Sequence, residues 1–269
     1  MKYVTIESTR TNNVMIIRLN RPDRMNAVNE TMYREIQDVL QKTVSDNEIR
    51  SLVITGSVLK KGAVEKQAFC AGADLKEHSS GTRDKAGRRA YIELAHQTTR
   101  MVYTYPKPII AAVNGPARGA GLELAINCDF ILMAENATLA FTEVGLGTFV
   151  GGGVTLHLPA LVGMIKAREL IYTCKVIDGN QAVSMGLALK SVPVEQLLQS
   201  TLRLADDLTE KAPLSMKLAK DMLHNSMLYN IETVLEHETE AILSCMETED
   251  WHEGIQSFIH KRKPIYKGR

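Results

Sequence analysis

Ile109–Glu143 reads IIAAVNGPARGAGLELAINCDFILMAENATLAFTE. Its first five residues form a continuous apolar run, the pattern of a strand buried on both faces. Gly115, Gly119 and Gly121 then allow a tight turn and a close backbone approach, and a helix is expected from about Gly119. Phe130–Met133 and Thr138–Phe141 read as short strands. Apolar strand, glycine-rich turn, helix and strand in succession indicate an α/β architecture.

The alternation extends outward on both sides. Val4–Glu7 and Val14–Leu19, on either side of Thr11-Asn12-Asn13, are expected to form a hairpin. Asn29 is placed to cap a helix over 30–45, where Met32, Ile36, Val39 and Leu40 recur at helical spacing. Ser51–Thr55 reads as a strand closed by Gly56. Residues 57–68 read as a Lys- and Gly-rich loop. The polar stretch 78–88 (HSSGTRDKAGR) reads as a mobile lid or disordered segment, and Arg89–Tyr103 as a helix ended by Pro106 and Pro108. Strand signals stop near residue 195. Helical patterns fill 195–210, 214–225, 230–246 and 250–260. The division expected is therefore an α/β core over 1–195 that carries the site, and an all-helical region over 196–269.

A chain of 269 residues buries a sizeable core without staples. Its net charge of +1 gives no electrostatic case for a nucleic-acid or anionic-membrane partner. Cys70, Cys128, Cys174 and Cys245 lie far apart, which favours free thiols in a reducing compartment. MKYVTIESTR carries no targeting pattern. No stretch approaches the ~18 apolar residues of a membrane span, so a cytoplasmic location is expected. No metal is expected either, because the histidines lack ligand spacing and HETEA at His237 is not HExxH.

Two small-residue turns carry the chemistry, Phe69–Asp74 (FCAGAD) and the glycine turn before the 119–126 helix. The first N–H groups of a helix have no intrahelical partner, and the helix dipole adds positive character there. At Ala71-Gly72-Ala73 small side chains leave the backbone N–H accessible. Two such donors aimed at one point form an oxyanion hole, where removing one donor typically costs ~10²–10³ in rate. Glu123 falls early in the helix, and Glu143 stands at a strand end before Gly145 and Gly147. Two carboxylates beside a bound substrate can divide acid and base work. The plainer readings are a packing turn, a first-turn glutamate favoured by the dipole, a surface Glu143 and a Cys70 that merely fills space. GxGxxG would need Gly where Leu124 stands, and no GxxxxGK[ST] loop exists, so nucleotide-binding fingerprints are excluded.

RPDRMNAV (Arg21–Val28), AFCAGADLKE (Ala68–Glu77), KPIIAAVNGPARGAGLELAINCD (Lys107–Asp129), FTEVGLG (Phe141–Gly147) and GIQSFIHKRKPIYKG (Gly254–Gly268) strongly resemble the crotonase (enoyl-CoA hydratase/isomerase) superfamily across nearly the whole chain. The resemblance implies a spiral of ββα units with a C-terminal helical region used in oligomerisation, as a homotrimer or a dimer of trimers. It implies that Ala73 and Ala120 supply the oxyanion-hole N–H groups, and that Glu123 and Glu143 hold the water that adds across a 2-enoyl-CoA. Arg24, Met25, Ala27, Ala71, Ala73 and Leu75 would line the CoA pocket, with Arg24 either reaching a phosphate or remaining a solvated charge. No cofactor is implied, coenzyme A being part of the acyl-CoA substrate.

Three departures leave the acyl group open. Ala120 stands where Gly is usual. Arg118 replaces an apolar residue, and is either a surface or salt-bridged arginine or one that recognises a carboxylated acyl chain. Gly147–Gly163 has Val150 for Pro and Leu156-His157 for Gln-Arg, with His157 read as helix packing rather than as a base. A double-bond isomerase, an acyl-CoA hydrolase and a non-catalytic CoA-binding or scaffold protein are the rival functions.

Overall fold

The computed structural model describes residues 3–61, 64–79, 83–225 and 229–269. β1 (Ile6–Thr11) and β2 (Val14–Leu19) form the expected hairpin, with Thr11 opposite Val14. β1 begins later than expected, because the Val4 and Thr5 N–H groups donate to the Glu35 carboxylate at 2.7 and 2.8 Å instead of entering a ladder. α1 (Glu30–Val44) starts where Asn29 accepts the Met32 N–H at 3.0 Å, and it buries Met32, Ile36, Val39 and Leu40. β3 (Ser51–Gly56) is buried throughout.

Residues 57–68 depart from the loop expected there. β4 (Val58–Lys61) and β5 (Val64–Gln67) pair as an antiparallel ribbon. Its four lysine and glutamate positions between 60 and 66 hide the apolar alternation by which strands are recognised. After α2 (Leu75–Ser79), α3 (Lys85–Tyr103) starts four residues earlier than expected, because Asp84 caps it by accepting the Gly87 N–H at 2.8 Å. Part of the expected 78–88 lid is therefore helix, and residues 80–82 of it lie outside the described residues.

β6 (Ile109–Val113), β7 (Ala117–Arg118), α4 (Ala120–Ile126), β8 (Phe130–Ala134) and β9 (Thr138–Ala140) follow as the opening stretch dictates. Next come α5 (Val154–Val162), α6 (Met164–Tyr172), β10 (Ile177–Asp178), α7 (Gly179–Ser184) and β11 (Lys190–Val192). The main sheet has the order β1-β2-β3-β6-β8-β11 and is parallel except at β1–β2. A smaller sheet, β10-β9-β7, lies at the level of the glycine turn. The result is the α/β spiral expected, closing in four helices.

Those helices are α8 (Val194–Thr209), α9 (Pro213–Asn225), α10 (Ile231–Met246) and α11 (Glu249–Ile259). α8 packs on the main sheet through Leu197, Thr201 and Ala205. α9 is tied to the sheet by a buried ion pair, Lys220 Nζ to Asp129 Oδ2 at 2.8 Å, where Asp129 also accepts the Ile109 N–H at 2.7 Å. α10 buries none of its residues within the chain. The four cysteines are free thiols. Among the described residues no helix is long and apolar enough to cross a membrane.

Candidate active site

Backbone packing brings the two small-residue turns together. A Cβ on Gly121 would stand 2.4 Å from the Cys70 carbonyl oxygen, and one on Gly115 would stand 2.5 Å from that of Gln67. Only hydrogen fits at either position. Cys70 N–H donates to Pro116 O at 3.2 Å, and Arg118 N–H donates to Cys70 O at 3.0 Å, which locks residue 70 beside Ala117. On the other side Val28 N–H donates to Gly72 O, and Asp74 N–H to Val28 O. These bonds use the groups flanking Ala73, so the Ala73 N–H faces away from Val28. Gly121→Ala is expected to cost about 1–3 kcal/mol in chemical denaturation, since the added methyl must push two backbones apart.

Ala120 opens α4, and Gly119 precedes it at φ +47 and ψ −123. A side chain at 119 would be strained in that backbone and would meet Glu143 Oε1 at 2.8 Å. Among the described residues, neither Ala73 N–H nor Ala120 N–H has a backbone acceptor. Gly72, whose absent Cβ would lie 3.9 Å from Ala120 N, joins the two donors.

Glu123 and Glu143 are 9% and 7% exposed, so two carboxyls are buried beside the donors. Glu123 Oε1 accepts the Gly151 N–H at 2.6 Å. Burial pushes its pKa up to about 7, opposed by that N–H and reinforced by the neighbouring Glu143. Glu143 is also raised, by burial first, against the backbone N–H groups of Glu143 and Thr142 and the Glu123 carboxyl. Its Oε2 is buried with no partner among the described residues. Desolvation thus holds both carboxyls above the ordinary glutamate value.

The remaining expected residues gather around the Ala73 turn. Met25 O accepts the Ala71 N–H at 3.0 Å. Ala71 and Leu75 are exposed, Met25 is half-buried, Ala27 is buried and Arg24 points into solvent. Two residues not singled out in the sequence hold this turn. Asn26, fully buried at φ +56, donates to Ser57 O and Ala68 O at 3.0 and 2.9 Å. Arg21 bridges to Asp74 at 2.8 Å. Asn127 was equally hidden; it donates to Glu123 O and Gly152 O, both at 2.7 Å, and ties the glycine loop to α4. The signals available were Asn in RPDRMNAV and in NCD, and the run Gly151-Gly152-Gly153.

Arg118 is not salt-bridged among the described residues. Its guanidinium donates to Thr138 O at 2.6 Å and to Thr138 Oγ1 at 2.7 Å, bracing β7 against β9. Burial pushes the Cys70 thiol up to about 11, so it remains a protonated filler rather than a nucleophile. No group of three or more His, Cys, Asp or Glu among the described residues is arranged to hold a metal ion.

A family model for enoyl-CoA hydratase/isomerase matches residues 9–269. The chain is 36% identical over 263 residues to the crotonyl-CoA hydratase of Syntrophomonas wolfei, covering 98% of each chain. It is 35% identical over 250 residues to the short-chain-enoyl-CoA hydratase of Clostridium acetobutylicum, covering 93% of this chain and 92% of that one. The crystal structure of an enoyl-CoA hydratase from Bacillus anthracis superposes with a TM-score of 0.92 at 35% identity, covering 99% of this chain and all of the other.

Proposed function

This chain belongs to the enoyl-CoA hydratase/isomerase family, and from that premise we propose that it is a hydro-lyase that reversibly hydrates a 2-enoyl-CoA thioester to the 3-hydroxyacyl-CoA. One observation carries the reading: two backbone donors without backbone acceptors among the described residues stand beside two buried carboxyls. The thioester oxygen accepts from Ala73 N–H and Ala120 N–H. That polarises the conjugated system, makes C3 electrophilic and stabilises the enolate-like charge as it develops. A water held between the carboxyls adds its oxygen to C3. Glu123 orients the water and receives its proton, while Glu143 delivers a proton to C2. The pair then passes the proton back and returns to its starting state.

This chemistry needs neither a metal nor a redox cofactor. Met25, Ala71 and Leu75 are at least partly exposed around the Ala73 turn and are the residues we assign to the CoA arm, together with the buried Ala27 and the exposed Arg24. A double-bond isomerase of the same fold works with a single proton shuttle, so the second buried carboxyl favours hydration. Short 2-enoyl chains are the natural first substrates, since relatives named for crotonyl-CoA and short-chain enoyl-CoA are among the most similar.

Glu123 takes the water's proton only when ionised, which fixes the sign of the pH dependence. With its pKa at about 7, the carboxylate is scarce below that pH and gained above it. kcat/KM for crotonyl-CoA, followed by loss of the near-UV band of the conjugated thioester, is expected to rise as pH rises through about 7. A rate that fell through that pH would remove Glu123 as the base.

Assembly as a homotrimer or dimer of trimers belongs to the same reading. Phe149, Ile165 and Tyr172 stand 73%, 73% and 69% exposed along one stretch of a single chain, and Phe258 is 86% exposed on α11. Such apolar surface favours burial against further copies.

A further inference from the structure

Three consecutive glycines, Gly151-Gly152-Gly153, lie close against side chains, Gly152 and Gly153 at φ +59 and +79. A Cβ on Gly151 would stand 3.2 Å from both Glu123 Oε2 and His96 Nε2. On Gly152 it would stand 3.1 Å from Glu123 Cβ and 3.3 Å from Thr99 Cγ2, and on Gly153 it would stand 3.0 Å from His157 Cε1. The loop is thus wedged between Glu123 on one side and α3 together with His157 on the other. His96, Thr99 and Tyr103, at spacings of three and four, lie on one face of α3.

His157 closes this seat. Its ring stacks on Tyr103 at 4.2 Å between centroids and 17° between planes. Tyr103 stacks in turn on His224 at 3.9 Å and 9°. The three rings form a column joining α5, α3 and α9, with the Gly153 backbone lying over His157. His157 Nδ1 is buried without a partner among the described residues, so the column is built for a neutral ring. The charged groups facing it are the Lys220–Asp129 pair and Asp221, around His224.

We propose that His157 is a positioning residue for Glu123: by holding the Gly151–Gly153 loop against α3, it aims the Gly151 N–H at the carboxyl that works on the water. The proposal rests on the hydratase reading for its kinetic consequence but not for its structural one. The Gly151 N–H favours the ionised form of Glu123, so a loosened loop leaves that carboxyl holding its proton to higher pH.

The test uses ¹³C-glutamate-labelled protein and two variants. In His157→Ala the Glu123 carboxyl titration, read by NMR, is expected to move to higher pH. kcat for crotonyl-CoA should fall by about 10²-fold with little change in KM, the scale of a displaced catalytic group. His157→Phe keeps a stacked ring, and both the titration and kcat should recover. Should His157→Ala fail to fold, His157→Gln, which removes the ring but keeps length, carries the same expectation. An unmoved Glu123 titration, or equal losses in the ring-bearing and ringless variants, would overturn the proposal. The titration decides it even in a protein without hydratase activity, an outcome that would defeat the functional reading alone.

Discussion

Glu123→Gln is expected to leave a folded protein that hydrates enoyl-CoA some 10²–10⁴-fold more slowly, the usual contribution of a positioned acid or base. The amide oxygen can still accept the Gly151 N–H, so the loop and the water site keep their geometry, but an amide cannot take a proton from water. A second effect runs the opposite way. The folded protein raises the Glu123 pKa from 4.5 to about 7 because burial disfavours its charge. At low pH, where the carboxyl is protonated whether folded or not, that burial costs no ionisation energy. The cost grows as pH rises from about 4.5 through about 7. Gln has no charge to bury, so the variant should unfold at a higher temperature than the wild type at pH 8, with the difference shrinking towards pH 4. Lost activity together with gained alkaline stability separates chemistry from folding. A variant of unchanged rate, or one less stable at pH 8, would remove Glu123 from the proposed role.

Ala120→Pro should be nearly as damaging, at about 10²–10³ in kcat/KM, the cost of one missing oxyanion donor. Ala120 occupies the first helical position of α4, where proline is tolerated because its missing N–H has no intrahelical partner. Gly119, at ψ −123, is already outside the helical region that a following proline disfavours. Near-wild-type melting with a collapsed rate therefore marks the loss of the donor itself. Ala120→Gly, which keeps the N–H, should retain activity. Equal rates in the proline and glycine variants would mean that the thioester oxygen is bound elsewhere.

Much of this was legible in the sequence because local rules and global fold agree there. Ile109–Val113 is apolar at every position and becomes a strand buried at every position. Asn29 caps α1 as its position implies. The glycines at 115, 119 and 121, with FCAGAD and NGPARGAGLE, pointed to both turns and to Glu123, and FTEVGLG to Glu143, the two glutamates that the fold buries. What stayed hidden depends on contacts between distant segments. Asn26 is a polar residue in a turn until Ser57 and Ala68 fold around it. Nothing near Glu123 announces that its partner is the Gly151 amide, 28 residues away. Arg118 reads as a surface or salt-bridged arginine or as an acyl contact, and nothing near it announces its bonds to Thr138, 20 residues on. The 58–67 ribbon is hidden by its charges, and the ring column joins residues from three helices far apart in the chain.

The most direct test of two-carboxyl hydration is the product mass after crotonyl-CoA is incubated with the wild-type protein and with Glu143→Gln. Hydration predicts a product heavier by one water with the wild type, and unreacted substrate with Glu143→Gln. A product of unchanged mass with a displaced double bond, or full water addition by Glu143→Gln, would contradict it.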